Sequence, residues 1–244
     1  MKFKVETKKV FGVPLIEYRL LSDEPKPTIF FVHGIKRCKE YVEEYALGFV
    51  NRGYNVISLD AYLHGDRKKR GMTDRDLELK YADIVIMTGE DINTLYKNHY
   101  SIKPYVDNDN VYVAGISMGG AVAFYTGTIM DDIKGIISVI GNPSFVSFLD
   151  YSSELVGVPF PNEERNRLSL FDPLLHYKDL IGKSILMING TKDRRVPVIY
   201  SEELFRKLKE EEYDNIVFKL YDVDHSVDEK MLEDIYEWLD NNTL

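Results

Sequence analysis

A serine stands among glycines in Gly115-Ile116-Ser117-Met118-Gly119-Gly120. A serine hydroxyl is a weak nucleophile until a base takes its proton and a carboxylate holds that base in one tautomer. Asp193 and His225 follow it, giving the chain order serine, acid, histidine. Those three residue types can carry acyl transfer: attack on a carbonyl, proton delivery to the leaving group, then release by water. The surroundings of Ser117 fit that chemistry. Ahead of it runs Asn110-Val111-Tyr112-Val113-Ala114, short and β-branched; behind it runs Ala121-Val122-Ala123-Phe124-Tyr125-Thr126, which suits a helix. The stretch reads strand, tight turn, helix. Such a turn forces the serine to φ > 0 and needs small neighbours, so that strand and helix can close on each other. The plainer alternative is a glycine-rich turn carrying an ordinary serine.

Two histidines follow Ser117, His176 and His225. His225 sits in Asp222-Val223-Asp224-His225-Ser226, between an apolar run and the last amphipathic stretch. That puts it at a strand end and makes it the expected base, whereas His176 falls in an irregular segment. For the acid, Asp193 lies in Gly190-Thr191-Lys192-Asp193-Arg194-Arg195-Val196-Pro197, also just past an apolar strand. Asp172 competes, because an acid after an earlier strand can also reach the histidine. Asp222 and Asp224 are too near His225 in sequence to be preferred. A developing oxyanion needs two N–H donors. The expected pair is the Met118 amide, at the head of the helix, and the Ile35 amide, in the loop after Thr28–Val32. Gly34 lets that loop run close, and His33 is expected to shape it rather than to react.

The elements that must position these residues alternate. Residues 2–10 and 13–21 form a hairpin about Phe11-Gly12. Buried strands are expected at 28–32, 54–60, 110–114, 135–140, 184–189 and 216–221. Helices are expected at 38–52, 73–98, 118–130, 198–212 and 227–241. Strands alternating with helices mean a mostly parallel central sheet with helices on both faces, an α/β fold. Residues 142–180 break the rhythm with four prolines and short amphipathic pieces. They read as a small cap insertion in one domain spanning 1–244. Phe145, Phe148, Leu149 and Phe160 are its expected apolar walls for the pocket.

The bulk numbers narrow the partners. Hydrophobic residues make 44% and charged residues 29%, ordinary for a globular protein. With 31 basic and 40 acidic residues the net charge is −9, against a nucleic-acid or anionic-membrane surface. Cys38 is the single cysteine, so no internal disulfide forms, which fits a reducing compartment. The N-terminus Met1-Lys2-Phe3-Lys4-Val5-Glu6 has no apolar leader, and no run is long enough to span a bilayer. A cytoplasmic protein is expected, as a monomer or homodimer. The histidines are isolated and neither a metal motif nor a phosphate or dinucleotide loop occurs, so no metal and no cofactor are expected.

The chain resembles the α/β-hydrolases. The likeness rests on His33-Gly34, the Gly115–Gly120 turn, Gly190–Pro197 and His225, and covers nearly the whole chain. It is similar to small bacterial carboxylesterases related to dienelactone hydrolases and to the catalytic domains of prolyl oligopeptidases. Gly-x-x-Asp-x-x-Val-Pro before the last histidine fits that branch, as does Asp60-Ala61-Tyr62-Leu63-His64-Gly65-Asp66-Arg67. Dienelactone hydrolases proper carry a cysteine nucleophile; Ser117 here implies ester chemistry. No propeller precedes the domain, so the oligopeptidase's size gate is expected to be missing. The resemblance implies a serine carboxylesterase acting on small acyl esters. The alternatives are a thioesterase, an acyl-aminoacyl peptidase with the same residues, or a hydrolase fold that only binds a small ligand.

Charge adds one more expectation. Lys36, Arg37, Lys39, Arg67, Lys68, Lys69, Arg70, Lys192, Arg194 and Arg195 all fall on loops expected at the strand ends that hold Ser117. They are either solvated surface charges or a rim that steers an anionic ester, with Arg67 touching substrate.

Overall fold

The computed structural model describes residues 2–157, 159 and 161–243. They form one eight-stranded sheet in the order β1-β2-β4-β3-β5-β6-β7-β8. The strands are β1 (Phe3–Val10), β2 (Val13–Leu20), β3 (Lys26–Val32), β4 (Asn55–Leu59), β5 (Val106–Ile116), β6 (Gly135–Val139), β7 (Ser184–Gly190) and β8 (Ile216–Tyr221). β1 and β2 form the expected antiparallel hairpin, and β2 meets β4 antiparallel. From β4 to β8 every pairing is parallel.

Parallel strands need crossovers, and here helices supply them. They are α1 (Glu43–Val50), α2 (Asp74–Leu79), α3 (Tyr81–Leu95), α4 (Met118–Ile129), α5 (Phe145–Val156), α6 (Asn162–Ser169), α7 (Ile199–Glu210) and α8 (Glu229–Asn242). The continuous apolar runs of β3, β4, β6 and β7 now have a reason: these central strands are covered on both faces. In β3, Phe30 and Val32 face the core shared with α3, α4 and α7. Ile29 and Phe31 face the core shared with α1 and α8.

The long helix expected over 73–98 is two helices. The chain leaves helical geometry at Lys80 (φ −103°, ψ 14°), and the second helix ends in a wider turn at Tyr96–Tyr100. Apolar spacing of three to four continues through both features, so periodicity alone does not reveal them. The wide turn lets Tyr96 and Tyr100 both meet Phe30 edge-on, at 6.4 and 5.5 Å between ring centroids. The helix expected over 38–52 starts with a tighter turn at Lys39–Val42, because the Lys39 side chain turns inward.

The segment 142–180 folds as α5, α6 and a short turn at Tyr177–Leu180. Asp172 organises it. Its carboxylate accepts from the Ser144 hydroxyl (2.9 Å) and the amides of Val146 (2.8 Å), Leu174 (2.9 Å) and Leu175 (3.3 Å). Burial raises its carboxyl above the ordinary value even against those four donors. Among the described residues no helix is long and apolar enough to cross a membrane.

Candidate active site

Ser117 directly follows β5 and precedes α4, at φ 57° and ψ −113°. An L-residue rarely sits there, and packing on all sides holds it. The glycines are steric requirements. A Cβ on Gly119 would lie 2.1 Å from the Val32 carbonyl oxygen, and one on Gly115 would lie 2.3 Å from the Gly119 carbonyl carbon. The Ser117 N–H donates to the Val139 carbonyl at 2.8 Å, which pins the turn to β6.

Ser117, Asp193 and His225 follow three different strands, yet they meet. The Ser117 Oγ lies 2.9 Å from His225 Nε2, and Asp193 Oδ2 lies 2.6 Å from His225 Nδ1. Asp193 Oδ1 accepts the amides of Arg195 and Val196 at 2.8 and 2.9 Å. Burial works to raise the Asp193 carboxyl, but the His225 bond and the two amides outweigh it and hold it below the ordinary carboxylate value. An ionised Asp193 can only accept, so His225 Nδ1–H donates to it and Nε2 is left to accept from the Ser117 hydroxyl. That polarity is what proton abstraction from serine requires.

Two of the three other acids, Asp172 and Asp222, and the histidine His176 stand elsewhere. Asp172 is committed to the start of α5, as described above. Asp222 pairs with Lys192 at 2.8 Å on the surface. His176 is exposed and reaches only the Ser169 carbonyl, at 3.2 Å.

The loop after β3 passes beside Ser117. A Cβ on Gly34 would make ordinary contact with the Ser117 Cβ, at 3.6 Å. Burial drives the fully enclosed His33 ring down to about 4, so it is neutral at pH 7. Its Nε2 accepts the Ala61 N–H at 3.1 Å, and its Nδ1–H donates to the Gly34 carbonyl at 2.7 Å. The Arg37 N–H donates to the same oxygen at 3.2 Å. Across a trans peptide the Ile35 N–H must point the opposite way from that carbonyl. Among the described residues neither Ile35 N–H nor Met118 N–H is paired with a protein acceptor. Met118 N–H is also the first donor of α4, where the helix dipole favours negative charge.

One arrangement was not legible from residue spacing. Lys39 is 2% exposed, and its ammonium lies 3.0 Å from Asp60 Oδ2, 2.8 Å from Asp66 Oδ2 and 2.9 Å from Glu40 Oε1. Asp60 Oδ1 also accepts the Lys39 N–H at 2.9 Å. With the His33–Ala61 bond, this clamps the loop after β3 to the loop after β4. A carboxylate directly after the strand Asn55–Leu59 was the available signal for it.

Four of the ten basic loop residues pair with carboxylates. Lys36 pairs with Glu78 at 2.7 Å, Lys192 with Asp222, and Lys39 is buried in its cluster. Arg67, expected to touch substrate, instead binds Asp91 of α3 at 2.6 Å and the Asp60 carbonyl at 3.2 Å. Pairing across loops decides this, and a count of charges along the chain does not see it.

Phe145 is buried against Tyr125 of α4, and Phe148 lies 4.9 Å from the Tyr81 ring of α3. With Leu149 they line a gap of about 60 Å³ between the insertion and α3. They attach the segment to the body of the protein. Phe160 lies outside the described residues. The insertion does reach the acid loop: the Tyr151 hydroxyl donates to the Arg194 carbonyl at 2.6 Å. Among the described residues no group of three or more His, Cys, Asp or Glu side chains is arranged to hold a metal ion.

This sheet order, with its serine on the turn after β5, is that of an α/β-hydrolase. A family model described as the prolyl oligopeptidase family matches residues 87–243, and one described as serine aminopeptidase matches residues 23–145. The chain belongs to the prolyl oligopeptidase family and is a serine hydrolase of esterase-like type. It is 27% identical over 219 residues to the esterase candidate YitV of Bacillus subtilis (strain 168), covering 84% of each chain. Among solved structures it is similar to an acylaminoacyl peptidase of Pyrococcus horikoshii (TM-score 0.77, 16% identity), over 99% of this chain and 42% of that one. It is likewise similar to acetyl xylan esterase 1 of Thermoanaerobacterium sp. JW/SL YS485 (TM-score 0.71, 18% identity), over 98% of this chain and 87% of that one.

Proposed function

We propose that the protein is a serine carboxylesterase acting on small acyl esters. One observation carries the reading: the Ser117 hydroxyl is 2.9 Å from His225 Nε2, while the ionised Asp193 holds the other ring nitrogen. In this reading His225 takes the serine proton as Ser117 attacks the ester carbonyl. The Ile35 and Met118 amides receive the oxyanion. His225 then returns the proton to the departing alkoxide, leaving an acyl-enzyme and free alcohol. Water, deprotonated by His225, releases the acid and restores Ser117. The substrate is a small molecule, and no metal or cofactor takes part in this scheme. The free Cys38 agrees with action in a reducing cytoplasm.

Similarity to the esterase candidate YitV and to an acetyl xylan esterase supports the ester over other acyl donors. The acylaminoacyl peptidase likeness favours a second reading, cleavage of acyl-aminoacyl amides by the same residues. Thioester cleavage would need nothing different. The test is kcat/KM on p-nitrophenyl esters of rising chain length, the matching acyl-aminoacyl anilides and acyl thioesters, together with fluorophosphonate labelling. Labelling at Ser117 with fastest turnover on short esters is expected. Faster anilide turnover moves the assignment to a peptidase. Absence of both labelling and turnover leaves a binding protein.

A further inference from the structure

One concavity has a lining that does not include Ser117. It encloses about 630 Å³ between the loop after β4, α2, α3 and α6. That is within the usual range for a small-molecule site, about 300–1,000 Å³. None of Ser117, Asp193 or His225 lines it.

Its chemistry is divided. The floor is apolar: Leu63 and Ile86 are buried, and Met72, Met87 and Phe171 surround them. Methionines adapt their shape to a ligand at little cost. Met87 is 43% exposed, a large apolar side chain left open at the mouth. The rim is cationic, with Lys69, Arg70 and Lys80. Two acids also line the space, but both are committed. Asp76 accepts the Thr73 N–H at 2.7 Å and the Thr73 hydroxyl at 2.8 Å, closing the cap of α2. Asp83 pairs with Arg167 at 2.8 Å. Among the described residues no carboxylate lies within ion-pair distance of Lys69, Arg70 or Lys80. In a chain of net charge −9, three cations without a carboxylate partner are gathered around one apolar hollow. They repel one another until an anion arrives, and an anion with an apolar body satisfies both halves of the site.

We infer that this concavity binds an anionic amphiphile, an apolar body of medium chain length ending in one carboxylate or phosphate. The body lies on Leu63, Ile86 and Met87, and the head group meets Lys69, Arg70 and Lys80. The site does not depend on the esterase reading, because no residue of that chemistry lines it.

The experiment is titration calorimetry with decanoate, decyl phosphate and neutral decanol, on the whole protein and on protein with Ser117 blocked by a fluorophosphonate. Both proteins are expected to bind at least one of the anions, which identifies the head group, and to bind decanol at least about tenfold more weakly. Raising salt from low to high should weaken the anion and spare decanol, since the Debye length shrinks to about 3 Å at 1 M. K69E/R70E/K80E should abolish anion binding, and M87E should weaken every ligand. All four positions are exposed, so the fold should persist, checked by thermal melting. Failure of both anions to bind at millimolar concentration overturns the inference. Equal affinity in K69E/R70E/K80E overturns it too. Loss of binding on blocking Ser117 places the ligand in the active site and also overturns it.

Discussion

Lys39 and Asp60 meet at 3.0 Å with 2% and 0% of their side chains exposed, joining the loop that carries Ile35 to the loop after β4. Burial pulls the Lys39 ammonium down, and its bonds to Asp66, Glu40 and Asp60 more than reverse this, so its value is raised. A raised lysine adds stability that is complete below the ordinary value of 10.5 and fades as pH climbs through the higher folded value. At neutral pH the contribution is therefore whole. Asp60→Asn leaves that ammonium poorly compensated and should cost about 3 kcal/mol. The melting temperature should fall by about 6–12 °C for a chain of this size. Asp66→Asn removes a carboxylate that is 69% exposed and should cost under about 1 kcal/mol. Equal melting temperatures for the two variants would show that the clamp contributes nothing.

Ser117→Ala should leave the melting temperature within about 2 °C of the parent and cut ester turnover by about 10⁴ or more. The measurement is kcat on a p-nitrophenyl ester together with fluorophosphonate labelling. A variant that keeps a tenth of the activity rules Ser117 out as the nucleophile.

Asp193→Asn and Asp172→Asn should fail differently. Asp193→Asn removes the acceptor that sets the His225 tautomer, so kcat should drop by about 10⁴ while the fold survives. Asp172→Asn puts an amide NH2 against two of the four donors, so α5 should loosen. That should appear as faster proteolysis within 142–180 and a lower melting temperature, with a smaller loss of kcat. The Asp193 carboxyl is depressed in the folded state, so its stabilisation is present above the ordinary value of 3.8 and lost as pH falls through the lower folded value. Acid melts should therefore show the parent losing more stability than Asp193→Asn below about pH 4. If Asp172→Asn costs more kcat than Asp193→Asn, the acid has been misassigned.

Gly119→Ala puts a methyl 2.1 Å from the Val32 carbonyl oxygen, which is backbone and cannot swing away. The expected result is insoluble protein, or a folded one with Ser117 displaced and little activity. Gly157→Ala meets nothing within 4 Å, and its φ of +68° costs only the left-handed strain of a non-glycine residue, about 1 kcal/mol. Wild-type activity in Gly119→Ala would refute the close strand-to-helix approach.

The turn around Ser117 was legible because its demands are local. A positive φ, a close helix and a close strand exclude side chains at Gly115 and Gly119, and residue types record such exclusions directly. The parallel sheet was legible for a related reason: strands covered on both faces lose their alternation, as in Thr28–Val32 and Ser184–Asn189. The choice between Asp193 and Asp172 was not local. Each lies in a loop after a strand, and only the folded paths of 172–175 and 190–197 show which one His225 reaches. Charge was the least legible. Lys39, Arg67 and Lys192 look alike along the chain, yet one is buried in a carboxylate cluster, one is bound to α3 and one is paired at the surface. Electrostatic partners are chosen by distance between loops, which residue order does not encode. So the chain by itself set the strand-turn-helix at Ser117 and the order of its partners. Tertiary packing alone decided which acid faces His225, which cations are neutralised, and where three of them are left around an apolar hollow.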